Sequence, residues 1–226
     1  PGERVDHPHH VGLWFNYGDV NGLDFWNNST DIPVEKKSKY GIIKHRSVNK
    51  MTNGTDKAEL EVTMDWQKLD GTNLLKEDTK FIFSGTGDMR TIERITKLSA
   101  LNEDVSLKDN KEGLIGIRVA RELEHPSNKA ELFTDASGKT TGVAKLNNEG
   151  VIGKYRSSEG KEGDKVWGTR GKWVNLNSKI GQENVSLVIL DYPKNIGYPT
   201  YWHARGYGLF SANPLGQKEL SGGKDV

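Results

Sequence analysis

AELEVTMDWQ, residues 58–67, is the stretch whose reading decides the fold. Leu60, Val62, Met64 and Trp66 fall on one side of a two-residue period, and Glu59, Glu61, Thr63 and Asp65 fall on the other. That is the pattern of a strand with one face buried and one in water. Asp70-Gly71 follows as a tight reversal. Leu75–Ser84 and Thr91–Leu101 continue the meander, split by the glycine-rich Ser84–Asp88 turn. A helix over 91–101 would lack both an N-cap and an amphipathic stripe. Upstream, Tyr40–Met51 reads as a further strand.

Downstream, GLIGIRVARELE (113–124) sets Ile115, Ile117, Val119 and Leu123 against Gly116, Arg118, Ala120, Glu122 and Glu124. The polar side of such a strand faces solvent or lines a polar cleft. Trp173–Ile180 and Val185–Asp191 add two strands, the second apolar enough to be buried on both faces. Residues 125–171, poor in apolar anchors, read as a long loop covering a site. No repeat, heptad or amphipathic helix appears. The expected fold is all-β: a large antiparallel β-sandwich with long loops, forming a single domain over residues 1–226.

Composition narrows the function classes. In 226 residues, 32 Lys and Arg stand against 31 Asp and Glu, and no basic stripe interleaves with aromatics, so no nucleic-acid partner is expected. Without cysteine there is no disulfide frame, zinc ribbon or thiol nucleophile. No apolar run approaches the roughly 20 residues of a spanning helix, so no membrane insertion is expected. The chain opens on PGERVDHP without an initiator methionine. It reads as a processed or excised piece, truncated at both ends.

The chemistry-bearing residues gather in two runs, DHPHHVGLWFNYGDVNGLDFW (6–26) and YPTYWHARGYG (198–208). In an extended chain His7 and His9 share a face, and His203 could join them around a divalent metal, with Asp6, Asp24, Glu122 or Glu124 as a further ligand. A metal-free reading sets a histidine and a carboxylate across a polar substrate as acid and base. The blander reading has the histidines bonding loop backbone. Trp66 belongs to the core. Trp14, Trp26 and Trp202 stand among Gly, Asn, Asp, His and Arg, the company of an aromatic that stacks on a sugar, although Trp14 and Trp26 could equally pin a loop to the sheet. VWGTRGKW has glycines and cations but no phosphate-loop spacing.

The two runs, together with GIRVARELEHP (116–126) and WGTRGKWVNL (167–176), resemble the bacterial PmoA-like family, whose members are often labelled methane oxygenases. That label suits a bundle of membrane helices, which nothing in this sequence supports. The resemblance instead implies a supersandwich like that of galactose mutarotases, in proteins found beside carbohydrate-degradation genes. It also implies further strands before the histidine run and after the last glycines.

These readings combine into one expectation: a periplasmic or secreted bacterial protein, the cytoplasm left open, that binds a sugar or oligosaccharide in a cleft and acts on it by acid–base chemistry. His9, His10 and His203 are the expected proton carriers, with Glu122 or Asp24 as carboxylate partner. Arg118 and Arg205 anchor hydroxyls or a carboxylate, and Trp14, Trp26, Tyr201 and Trp202 supply stacking. No cofactor is required on this reading. The alternatives are a sugar-binding module without turnover and a hydrolase with a divalent metal on His7, His9 and His203.

Overall fold

The alternation of residues 58–67 is realised as a strand, in a computed structural model that describes residues 4–5 and 9–224. Among these residues eleven strands form: β1 Leu13–Tyr17, β2 Ile42–Thr52, β3 Lys57–Gln67, β4 Asn73–Thr86, β5 Met89–Ala100, β6 Gly113–Arg118, β7 Lys154–Ser157, β8 Trp173–Ile180, β9 Glu183–Leu190, β10 Tyr201–Ala204 and β11 Leu209–Asn213. They make three antiparallel sheets, ordered β1-β6-β11-β10, β2-β3-β4-β5 and β7-β8-β9. The fold is all-β and sandwich-like. No helix among the described residues is long and apolar enough to cross a membrane. The β domain expected over residues 1–226 consists of two compact units, with Asp19–Leu107 inserted into the unit made by Pro1–Gly18 and Lys108–Val226.

The inserted unit is the meander β2-β3-β4-β5. Val62 and Trp66 are buried as their period predicts, with Phe25, Trp26, Leu74 and Leu75 also in the core. Thr63 and Asp65 of the polar side are buried as well, so this strand is not open to water along that side. Phe25 packs 5.0 Å from the Trp66 ring and lies where a Cβ on Gly41 would fall, 2.1 Å from its nearest atom. On the charged side, Lys80 reaches Glu59 at 2.8 Å, Lys76 reaches Asp78 at 2.8 Å, and Arg46 pairs with Asp65. Exposed pairs of this kind are worth about 0–1 kcal/mol each. At the β3–β4 reversal Gly71 holds φ 88°, a left-handed value that glycine adopts without strain. Residues 91–101 are extended, not helical.

A charge sits inside this unit. Glu77, fully buried on the apolar face, accepts hydrogen bonds from Trp66 Nε1 at 2.8 Å, Thr79 Oγ1 at 2.7 Å and Arg94 Nη2 at 2.5 Å. Arg94 also lies 5.0 Å over the Phe81 ring. Four groups thus satisfy one another in a place where an isolated charge would be costly.

The outer unit is a two-layer sandwich. Ile115, Ile117, Trp202, Ala204, Phe210 and Ala212 of one sheet meet Tyr155, Val174, Leu176, Val185, Leu187 and Ile189 of the other. Phe210 packs edge-on against Tyr155 at 5.1 Å, and Trp202 is 6.0 Å away. Burying each large apolar side chain contributes about 1.5–3 kcal/mol.

Three expectations are corrected here. β6 ends at Arg118, where Val119 N–H bonds Gly208 O, and the chain turns through a 3-10 segment at Arg121–Leu123, so 113–124 is not one strand. β9 is covered on one side only, because Val188 and Leu190 are exposed on the outer face of the three-stranded sheet. Residues 125–171 are not all loop, since buried Tyr155 anchors β7.

Replacing Glu77 by alanine removes the carboxylate that Arg94, Trp66 and Thr79 share, with an expected loss of about 3–5 kcal/mol by urea unfolding. Glu77→Gln, which keeps one of the two acceptor oxygens and leaves no cavity, is expected to lose less.

Candidate functional site

Strand register brings the two chemistry-bearing runs onto one sheet. Trp14 lies opposite Gly116, Gly116 opposite Ser211, and Ser211 opposite His203. Directly opposed residues of an antiparallel pair share a face. With the two-residue period, Trp14, Asn16, Arg118, Ser211, Asn213, Tyr201, His203 and Arg205 therefore belong to the face turned away from the β7-β8-β9 layer. Three strand spacings, roughly 14 Å, separate β1 from β10 along this row.

At the β1 end, Gly116 is the seat of Trp14: a Cβ there would fall 2.6 Å from the indole. His10 stacks on Trp14 with centroids 4.7 Å apart and planes 8° from parallel, and His9 meets His10 edge-on at 4.2 Å. The opening histidines thus form an aromatic stack. His10 covers the ring that the sugar reading set aside for a ligand. Asn16 Oδ1 is buried on the same face with no hydrogen-bond partner among the described residues.

At the β10 end, His203 is buried and doubly bonded. Its Nδ1 lies 3.1 Å from Lys111 O and donates to it, while Nε2 accepts from Arg205 Nε at 3.2 Å. Burial, then the Arg205 charge, push its pKa down to about 4. Glu112 Oε2 lies 3.8 Å from the same Nδ1 without reversing this, because removal from water outweighs one partly exposed carboxylate. His203 is a neutral brace with no lone pair left to take a proton.

What it braces is Arg205. The guanidinium lies 4.5 Å over the Trp167 ring, a contact worth about 0.5–2 kcal/mol. Nε held by His203 and the guanidinium carbon lying over the indole together hold the fork in place. Its two terminal nitrogens have no partner among the described residues. Nearby, Arg118 Nη1 donates to Tyr207 O at 2.9 Å. Glu124 is buried between Arg4 at 2.7 Å and Arg121 at 3.0 Å, and burial pushes its pKa up against both cations.

His125, Asp164 and Trp167 were not singled out from sequence. His125 Nδ1 lies 3.3 Å from Asp164 Oδ1, its Nε2 accepts from Tyr155 N–H at 3.3 Å, and burial lowers its pKa. Both of its nitrogens are occupied, as in His203. The signal for Trp167 was an aromatic beside a glycine–arginine run, which sequence reading weighed only for phosphate. Arg170 of that run is tied to Pro199 O at 2.9 Å and Gly197 O at 2.9 Å.

The other expected site residues lie elsewhere. Trp202 points into the sandwich core, fully buried, with Nε1 donating to Gly171 O at 3.0 Å, so it offers no stacking face. Tyr201 is buried with Arg170 5.2 Å over its ring. Glu122 sits in the turn after β6, where its carbonyl accepts from Ser178 Oγ. Asp24 and Trp26 belong to the inserted unit. There Asp24 Oδ1 accepts from the N–H groups of Trp26 and Asn27 at 2.8 and 2.9 Å and Oδ2 from Asn27 Nδ2 at 2.8 Å, while Trp26, 2 % exposed, is core. His7 lies outside the described residues, as does Asp6. Among the described residues no three His, Asp or Glu side chains group as a metal ion would need.

A model for a family of unknown function, DUF6807, matches residues 1–224, and the chain belongs to that family. No curated protein and no solved structure matches it.

His203 also sets a pH dependence. Its folded pKa of about 4 lies below the 6.5 of an exposed histidine, so between these values the unfolded chain binds the extra proton. The stability His203 contributes is complete above pH 6.5 and is lost as pH falls towards 4, by roughly 3 kcal/mol at most. Urea unfolding across this range is expected to show that slope, and His203→Asn to flatten it.

Proposed function

We propose that this DUF6807 protein binds a carbohydrate at Arg205, at the mouth of the β10–β11 hairpin, and that binding rather than turnover is its primary activity. The observation that carries the reading is Arg205: a guanidinium held by His203 at Nε and lying over Trp167, with both terminal nitrogens lacking a partner among the described residues. Such a fork suits vicinal hydroxyls or a sugar carboxylate, which it can grip with two parallel hydrogen bonds. Trp167, half-buried, takes the aromatic role that Trp26 and Trp202 do not offer. The resemblance of the four runs to PmoA-like proteins supports the same ligand class.

Turnover is the second reading, and the histidines weigh against it. An acid–base catalyst needs a proton site near the working pH and within reach of substrate. His203 and His125 have both ring nitrogens engaged and pKa values lowered by burial. Binding needs only what Arg205 already presents.

Calorimetry against a panel of neutral and uronic-acid-containing oligosaccharides tests the reading. At least one is expected to bind, with Arg205→Ala abolishing the heat and Arg205→Lys weakening affinity roughly tenfold through loss of the fork. Binding indifferent to Arg205 would sink the site. Product release from any panel member that His203→Gln abolishes at unchanged melting temperature would favour catalysis instead.

A further inference from the structure

The inserted unit leaves a long sheet edge open. β5 pairs with β4 along its whole length, Met89 through Ala100, with no bulge in the register. Its other side pairs with no strand among the described residues. The opposite edge, β2, is interrupted by two register shifts. Bulges, prolines and short lengths are how proteins blunt an edge, and β5 has none of them. Ile92 is 54 % exposed and Ile95 51 %, with Met89 and Leu101 also exposed at the two ends.

The sequence of this edge is complementary to itself. Written about Ile95, MRTIERITKLSAL (89–101) sets Glu93 against Lys97, Ile92 against Leu98, Thr91 against Ser99 and Met89 against Leu101, with Ile95 meeting itself. Each pairing is favourable across an antiparallel ladder: opposite charges, apolar pairs and a hydroxyl pair. Because paired positions have the same parity, each pair lies on one face of the joined sheet. Shifting the axis by one residue either sets Arg94 on Arg94 or leaves Glu93 and Lys97 without each other. Glu93 has no ion-pair partner among the described residues within its own chain, and Lys97 has Asp78 opposite it on β4 without a direct ion pair.

We propose that β5 is a homodimer interface, at which two copies of this chain pair antiparallel about a two-fold axis through Ile95 and join their meanders into one eight-stranded sheet. The contact is isologous, the same strand on both partners, and therefore closes without propagating into fibres. Main-chain hydrogen bonds supply the ladder, and the Glu93–Lys97 pairs, made twice by symmetry, fix the register. A second copy is favoured over an unrelated extended peptide because the complementarity lies within the strand itself.

Sedimentation-velocity measurements of the full chain over a concentration series test the proposal. The wild type is expected to show a monomer–dimer equilibrium. Ile95→Lys, which places two ammonium groups on the axis, is expected to be monomeric with an unchanged circular dichroism spectrum. Glu93→Lys is expected to weaken the dimer roughly tenfold or more, and the double variant Glu93→Lys/Lys97→Glu to restore it, because the swap re-forms both charge pairs. A wild type monomeric throughout, or a dimer indifferent to Ile95→Lys, overturns the proposal. A double variant no better than the single one overturns the register. Either result would leave the Arg205 site untouched.

Discussion

The outer unit depends on one constraint: β10 and β11 are buried at every residue, so each polar group they carry must find a hydrogen-bond partner inside the protein. Ser211 Oγ donates to Gly113 O at 2.6 Å, Asn213 Nδ2 to Asn110 O at 2.7 Å, and His203 Nδ1 to Lys111 O at 3.1 Å. One segment, residues 110–113, therefore serves three side chains of the adjoining strands. The second nitrogen of His203 is taken by Arg205, the first residue beyond β10. Buried order in the hairpin is thereby passed to a side chain at its mouth. A histidine with the look of a proton carrier is the means by which a guanidinium is aimed.

The strand at Leu60 to Trp66 was legible from its two-residue period, although its polar side is not in water throughout, since Thr63 and Asp65 are buried with Val62 and Trp66. The period misled at 113–124, where Val119 and Leu123 keep it beyond the end of β6 while the backbone has already turned. Alternation constrains side chains, not hydrogen bonds, so a 3-10 turn can continue it. β7 was illegible for the opposite reason: in KYRS only Tyr155 is a large apolar residue, and the strand is held by its partner β8 rather than by its own pattern. For the site, Trp14, Arg118, His203 and Arg205 share one face because strand parity links them once register is known, and register is what the sequence does not supply. The sequence could not say that Trp202, one residue from His203, faces the core, nor that Asp24 and Trp26 belong to another unit. Trp167 escaped because its role is defined by Arg205, 38 positions away in the chain (), and no local pattern reports such a contact.

The functional weight accordingly moves from histidines to arginines. Arg4 pairs with Glu124 and Glu131, and Arg121 with Glu124, whereas Arg205 has a histidine and an indole as neighbours and no carboxylate among its described partners. A guanidinium with no carboxylate among its described partners, oriented at some cost in side-chain freedom, is the feature on which the proposed binding rests. The inserted unit follows a different logic. There the buried Glu77–Arg94 pair is closed on itself, and what remains unsatisfied is backbone, along an edge.

The insertion itself bears on how the chain folds. In the outer unit Tyr17 donates to Lys108 O at 2.8 Å across 91 residues of sequence, and Gly18 N–H bonds Glu112 O at 2.8 Å. In the inserted unit Val20 bridges to Leu107, and Asn21 N–H bonds Ser106 O at 2.9 Å. The stem is thus clamped on both sides of the boundary. A free loop of that length would oppose the β1–β6 pairing with about 4 kcal/mol of closure entropy. The meander's own contacts are local, of the kind that form fast. Once they have formed, its clamped ends present residues 18 and 108 as near neighbours, and the pairing of greatest sequence separation in the outer unit proceeds as though it were a hairpin.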